Sequence, residues 1–365
     1  MDSKENILKN YSCIYPFEYV DIQTNGMYMC CPAWNDTNIQ IDDDVKKSWF
    51  SEKANDIRES ILDGSYSYCD KVNCPSLSRM LNQSINYVAS NLPPNFIPKP
   101  DLIKKYNVDN FQSTPHEILF GFDRSCNFKC PSCRKGLIPN DDENSPEHKK
   151  KLLQLYSIEQ QFAQTAKKII ITGSGDPFYS KIYRDYLINF DASLYPNLED
   201  IHIVTNGSML NETMWNMIKK ATPFIKTIEV SIDAGTKDTY ENKTRLNGNW
   251  DILMDSLKFL STIKSVNTCI FSMTVSKHNY KEMLDMYNIL YPMFKHKNIL
   301  NINYRRLVQW GTYDTTTYND LCIFEKEHEL YLDFVKELKK IERLDKVYTN
   351  FEDILAENTT KKGLI

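Results

Sequence analysis

Apolar and polar positions along this chain fall into two regimes. From residue 117 onward, short runs rich in Ile, Val and Thr alternate with longer stretches of helical periodicity, the pattern of βα units around a parallel sheet. The runs predict six strands: Glu117–Asp123, Lys168–Thr172, Ile201–Thr205, Thr227–Ile232, Cys269–Val275 and Leu300–Val308. Helices are predicted near Pro146–Ala166, Ile182–Phe190, Glu212–Lys220, Trp250–Ile263 and Lys281–Phe294, with another near Phe324–Ile341 after the last strand. Six such units make an α/β fold built on a partial or small barrel, in which ligands bind where the strands end and the loops converge. Upstream the alternation is lost. The segment 1–90 holds five of the ten cysteines, many aromatics and only two glycines. Within it, Trp49–Leu62 reads as one amphipathic helix stopped at Asp63-Gly64. The proline-bearing stretch from Leu92 to Pro100 reads as a spacer. The predicted organisation is a cysteine-rich domain over 1–90, a linker over 91–115, a barrel over 116–310 and a C-terminal loop and helical segment over 311–365.

Composition narrows the classes of function. With 365 residues, 41% of them hydrophobic, the chain can bury a large core with room for two domains. A formal net charge of -4 carries no basic excess, and the runs Lys149-Lys150-Lys151 and Lys295-His296-Lys297 lack interleaved aromatics, so nucleic acid is not an expected partner. Met1 to Asn10 lacks the apolar core of a signal peptide, and no uncharged apolar stretch is long enough for a bilayer, so a cytoplasmic protein without membrane attachment is expected. In a reducing compartment, clustered cysteines read as metal ligands before disulfides.

The strongest chemical signal follows the first predicted strand directly. Cys126, Cys130 and Cys133 stand in a C-x3-C-x2-C spacing, which suits three thiolates on one iron–sulfur cube and leaves its fourth iron without a protein ligand. A tetrahedral zinc site is the competing reading, since cysteine pairs two residues apart also bind zinc. The ends of the next strands are polar as well. Strand two runs into Thr172-Gly173-Ser174-Gly175-Asp176-Pro177, ordinary turn chemistry when taken alone, with Asp176 offering a carboxylate at the mouth. Strand three ends in Thr205-Asn206-Gly207 and strand four in Ser231-Ile232-Asp233. Their order behind the cysteine triad gives them their weight.

From these motifs the segment of about 117–310 resembles a radical S-adenosylmethionine (SAM) enzyme. The resemblance implies a partial (β/α)6 barrel whose 4Fe-4S cluster, on Cys126, Cys130 and Cys133, binds SAM at the open iron. It implies that the loop Ser174, Gly175, Asp176 and Pro177 holds the SAM amino group and that Ser231 and Asp233 contact its ribose, with Asn206 beside them. Arg245 would stand near the SAM carboxylate or the substrate, where a bidentate contact makes chemical sense. This chain departs from the family pattern at Ser174, where a glycine is usual, at the shorter acid Asp176, and at Ser132, where an aromatic often precedes the third cysteine. Phe128 is the substitute for packing on the adenine.

The N-terminal cysteines resemble a SPASM or twitch auxiliary-cluster module, here ahead of the barrel instead of behind it. Cys13, Cys30, Cys69 and Cys74 would hold a second 4Fe-4S cluster, with Cys31 as the substitute for Cys30, and a structural zinc site or free thiols as the alternative. Such a cluster would relay an electron, organise the fold or, with an open iron, bind substrate. Of the remaining cysteines, Cys269 reads as core and Cys322 as either core or a hydrogen-atom donor to a substrate radical. The histidines show no ligand spacing, and Trp310 to Tyr313 is expected at the barrel mouth. Altogether the resemblance implies an oxidoreductase-type enzyme that reductively cleaves SAM and takes a substrate hydrogen, served by flavodoxin or ferredoxin. The expected substrate is a ribosomally made peptide undergoing epimerisation, crosslinking or oxidation, with a sugar or other small molecule as the alternative. A non-catalytic iron–sulfur or zinc protein is the rival from another class.

Overall fold

The structure is a computed structural model that describes residues 7–35, 37–41, 44–72, 74–81, 91–172 and 174–360. The polar opening at 1–6, part of the 1–90 boundary region (82–90) and Gly173 of the loop after strand two lie outside the described residues. Among the described residues the strands are β1 (Tyr11–Cys13), β2 (Tyr19–Gln23), β3 (Gly26–Tyr28), β4 (Phe96–Pro98), β5 (Glu117–Gly121), β6 (Lys168–Ile171), β7 (Asp200–Thr205), β8 (Thr227–Ser231), β9 (Thr268–Val275), β10 (Ile299–Arg306) and β11 (Val347–Thr349). The fold class is α/β with mostly parallel strands, as the alternation predicts. The six predicted barrel strands are β5 to β10, each found within one or two residues of its expected ends.

The chain divides into two compact units, Met1–Asp123 with Asp142–Ile171 and Asp191–Asp200, and Arg124–Asp141 with Thr172–Phe190 and Ile201–Ile365. In the first, β2 pairs parallel with β5 and antiparallel with β3, and β5 pairs parallel with β6. The N-terminal segment therefore supplies strands to the same sheet as β5. The stretch read as a spacer contains β4, which pairs antiparallel with β1. The expected single helix Trp49–Leu62 is two, Val45–Trp49 and Glu52–Leu62, because Ser51 caps the second by accepting from Ala54 N. Arg58 locks that corner, stacking 4.5 Å from the Trp49 ring and donating to Trp49 O and Pro16 O.

In the second unit β7, β8, β9 and β10 follow one another in parallel, and β11 adds to β10. Side chains alternate between two faces along each strand. Ile228, Val230, Phe271, Met273, Ile302 and Tyr304 are all fully buried on one face. Phe271 lies 4.5 Å from Phe294 of helix Met283–Phe294, and Tyr304 donates to Met283 O at 2.7 Å, so this face packs on helices. The opposite face carries His202, Glu229, Ser231, Ser272, Asn303 and Arg305. Past β10, the loop expected over Gly311–Asp320 contains helix Thr315–Leu321, capped by Asp314 accepting from Thr317 N. The helix expected from Phe324 begins only at Tyr331 and runs to Ile341. No helix among the described residues is long and apolar enough to cross a membrane. Phe271→Ala removes a fully buried ring and should cost about 3–5 kcal/mol, read as a drop in the denaturant midpoint.

Candidate active site

The cysteine loop is held as a compact turn. Cys126 N donates to Ile138 O at 2.8 Å, Cys133 N and Arg134 N both donate to Cys130 O at 3.0 Å, and Lys129 N donates to Leu246 O at 3.1 Å. Cys126 and Cys130 are buried and Cys133 is half-buried. All three line one cavity of about 70 Å³, together with Phe128, Arg134, Thr172, Gly175, Val204, Thr205, Asn206, Ser231 and Arg245. Each sulfur meets N–H donors. Phe128 N and Asn206 Nδ2 approach Cys126 Sγ at 3.4 and 3.7 Å, Arg245 Nη1 approaches Cys130 Sγ at 3.5 Å, and Arg134 Nη2 approaches Cys133 Sγ at 3.3 Å. Burial pushes the Cys126 thiol up to about 11, with the Asp176 charge adding to it and Arg134 opposing it. Burial also raises Cys130, against the pull of Arg245.

Among the described residues, no group of three His, Cys, Asp or Glu side chains is drawn together as a metal-ion site. A mononuclear zinc centre needs its ligands converging on one ion at about 2.3 Å, whereas three cysteines on a cube each reach a different iron. Three thiols around one cavity, each with a donor at its sulfur, could hold three irons of such a cube.

The loop after β6 is braced from inside. Thr172 sits at φ +42°, costly for a β-branched residue, and its hydroxyl accepts from Ser174 N at 2.7 Å and Gly175 N at 2.9 Å. Asp176 differs from its expected place at the mouth. It is fully buried, and its two oxygens take four donors: Phe178 N and Tyr179 N at 3.1 Å, Thr205 Oγ1 at 2.7 Å and Asn206 N at 2.9 Å. Burial raises its pKa against those hydrogen bonds. Asp176 thus ties the loop after β6 to the end of β7 and shows no carboxylate to the cavity. Pro177 is buried beside it, while Gly175 is on the cavity wall and Ser174 gives its carbonyl to Arg134 Nη2 at 2.8 Å.

The end of β8 splits its two expected contacts. Ser231 lines the cysteine cavity, whereas Asp233, at φ +58°, lines a smaller neighbouring one of about 20 Å³ with Thr274, His278 and Tyr313. Asp233 is committed to Arg245 Nη2 at 2.8 Å and Thr274 N at 2.6 Å. Arg245 is aimed by a π-helical turn over Tyr240–Thr244, in which Arg245 N bonds back to Tyr240 O at 2.8 Å. Its Nε is buried with no hydrogen-bond partner. Gly248 closes that turn because a Cβ there would lie 2.6 Å from Tyr240 Cε1 and 2.7 Å from Arg245 O. Phe128 is buried edge-on to Tyr240, 6.4 Å between centroids, as well as lining the cavity.

Arg134 was not singled out from the sequence, although its position directly after the third cysteine is a readable signal for a cation beside the sulfurs. Cys322 is buried at the C-terminal end of helix Thr315–Leu321 and lines neither cavity, and Cys269 is fully buried in β9. Trp310 is exposed, while Tyr313 borders the smaller cavity. In the first unit, burial pushes Cys13 and Cys69 up to about 12, and Cys74 is close enough to add to both. Cys30 feels Cys13, Cys74, Cys31 and Cys69, whereas Cys31 feels Asp21 and Cys74.

Residues 122–290 match the family described as the Radical SAM superfamily. Those residues form a radical SAM domain, a kind of domain that uses a 4Fe-4S cluster and SAM. Among solved structures it is similar to Streptococcus suis SuiB bound to S-adenosylmethionine, at 13% identity and TM-score 0.41 over 93% of this chain and 72% of that one. It is also similar to TYW1 with a lysine-pyruvate adduct bound, at 16% identity and TM-score 0.36 over 59% and 70%. No curated protein sequence matches it. Asp176→Asn would turn an amide NH2 toward two of the four donors, and should lower stability by about 1–3 kcal/mol in a denaturant titration.

Proposed function

We propose that this enzyme modifies a peptide, using a 4Fe-4S cluster on Cys126, Cys130 and Cys133 with SAM bound beside it. The observation that carries the assignment is the cavity itself: three thiols around one space, an N–H donor at each sulfur, and the buried Nε of Arg245 still lacking an acceptor. Cys126, Cys130 and Cys133 would hold the cluster, which would supply the electron for reductive cleavage of SAM and so for hydrogen abstraction from the substrate. The chain's own work is positioning and charge. Arg134 and Arg245 set positive charge against the sulfurs, favouring thiolates that burial alone disfavours. Gly175, Asn206, Ser231 and Arg245 present polar groups to the SAM seat, with Phe128 as its apolar wall and Ser174 behind Gly175. Asp176, Pro177 and Asp233 act one layer back, fixing the loop and the guanidinium.

The mutually interacting Cys13, Cys30, Cys69 and Cys74 support a second, auxiliary 4Fe-4S cluster, and that feature supports a peptide as substrate and a flavodoxin- or ferredoxin-type protein as donor. Anaerobic reconstitution followed by dithionite and SAM should yield 5′-deoxyadenosine from the native enzyme and none from Cys126→Ala, Cys130→Ala or Cys133→Ala. Iron content should fall by about half in a Cys13→Ala/Cys69→Ala double variant, since each cube carries about four irons. Product from the Cys130→Ala variant would overturn the cluster assignment, and unchanged iron in the double variant would overturn the auxiliary one. Solvent deuterium in a modified peptide marks epimerisation, and its absence marks net oxidation or crosslinking.

A further inference from the structure

The strand face that carries the cysteine cavity is polar where a closed barrel would be filled with branched apolar side chains. On β7 to β10 the residues facing away from the helices include His202, Glu229, Ser272, Asn303 and Arg305. Register sets two of them next to residues of the cavity wall. Val204, on the cavity wall, is the partner of Glu229, and Ser231, also on the wall, is the partner of Ser272. Asn303 follows next to Ser272 on β10.

Glu229 is the centre of this group. Its Oε1 accepts from Ser272 Oγ at 2.6 Å and meets Arg305 Nη1 at 3.3 Å, while Oε2 lies 3.9 Å from His202 Nε2, beyond hydrogen-bond range. The Arg305 side chain is 50% exposed, and Glu229 is its sole ion-pair partner among the described residues. Two neighbouring functions are therefore left to take a guest: an acceptor, Glu229 Oε2, and the outward donors of the Arg305 fork. Their charges already cancel, so a charged guest would leave an excess charge in a half-buried site.

The geometry points to a substrate-recognition site at Glu229 and Arg305 for a carboxamide side chain, its oxygen facing Arg305 and its NH2 facing Glu229. Glutamine or asparagine at or beside the modified residue satisfies both groups at once. Leucine leaves both unfilled, and glutamate sets its charge against Glu229. Ser272 joins this site to the cavity wall, donating to Glu229 and pairing in register with Ser231. The inference rests on the peptide reading above and names the residue that such a peptide presents.

The test measures binding of three capped tripeptides, Gly-Gln-Gly, Gly-Leu-Gly and Gly-Glu-Gly, to cluster-bearing, SAM-loaded enzyme by anaerobic equilibrium dialysis. The glutamine tripeptide should bind about tenfold tighter than the other two, the scale of a hydrogen bond to a charged group. Arg305→Gln and Glu229→Gln should each bring the glutamine-to-leucine ratio near unity. Leucine-tripeptide binding that stays at the native level separates that result from a loss of fold, and Arg305→Gln alters a half-exposed side chain should Glu229→Gln prove unstable. Equal binding of all three by the native enzyme, preference for the glutamate tripeptide, or selectivity surviving Arg305→Gln would each overturn the assignment. Formation of 5′-deoxyadenosine without any tripeptide reads the proposed chemistry separately: its absence beside intact glutamine selectivity would strike that chemistry and keep this site.

Discussion

A buried guanidinium between a sulfur and a carboxylate is the constraint on which the site depends. Arg245 reaches Cys130 with one nitrogen and Asp233 with another, at 3.5 and 2.8 Å. Taking an ion out of water costs several kcal/mol even after relaxation, so a lone arginine would not stay in this cavity. Burial works against its charge, and Asp233 with Cys130 more than restores it. Asp233 in turn needs the arginine, because its left-handed backbone turns its carboxylate inward, away from water. The π-helical turn at Tyr240–Thr244 delivers the guanidinium to the one place where both partners are in reach.

Around that pair the loops at the strand ends are over-determined. Asp176 uses all its accepting capacity to join two loops, and Thr172 holds a costly backbone angle because its hydroxyl takes two amides of the same turn. Strain of this kind, of order 1–3 kcal/mol per residue, persists only where the surroundings hold it. The stabilisation comes from the other face of the strands, where Phe271, Met273, Ile302 and Tyr304 form a closed apolar layer with the helices. One face supplies the core, which leaves the other free to be polar.

The six barrel strands were legible because a buried parallel strand is a compact run of β-branched residues, a local signal. Strands β2 and β3 were not, since Tyr19–Gln23 is ordinary by itself and becomes a strand by pairing with Glu117–Gly121, far along the chain. Helix Thr315–Leu321 was hidden by three threonines, poor helix formers that the Asp314 cap overrides. The site divides in the same way. The cysteine triad, Asn206, Ser231 and Arg245 were readable and share one cavity. The inward turn of Asp176 was not readable, because its donors come from both its own loop and the end of β7.

Why the acid after Gly175 is an aspartate follows from that arrangement. Its carboxylate must sit 2.7 Å from Thr205 and 2.9 Å from Asn206 N while still accepting from amides two and three residues ahead in its own chain. The short side chain reaches all four donors as an Asx-type turn does. A glutamate would extend past those local amides and carry its charge toward the cavity. In this chain the anion is kept off the cavity wall, and the cations Arg134 and Arg245 stand at the sulfurs, Arg134 opposing the charge that Asp176 still sets against Cys126. A site that must gather three thiolates gains from that choice, since each added negative charge nearby would raise the cost of ionising them.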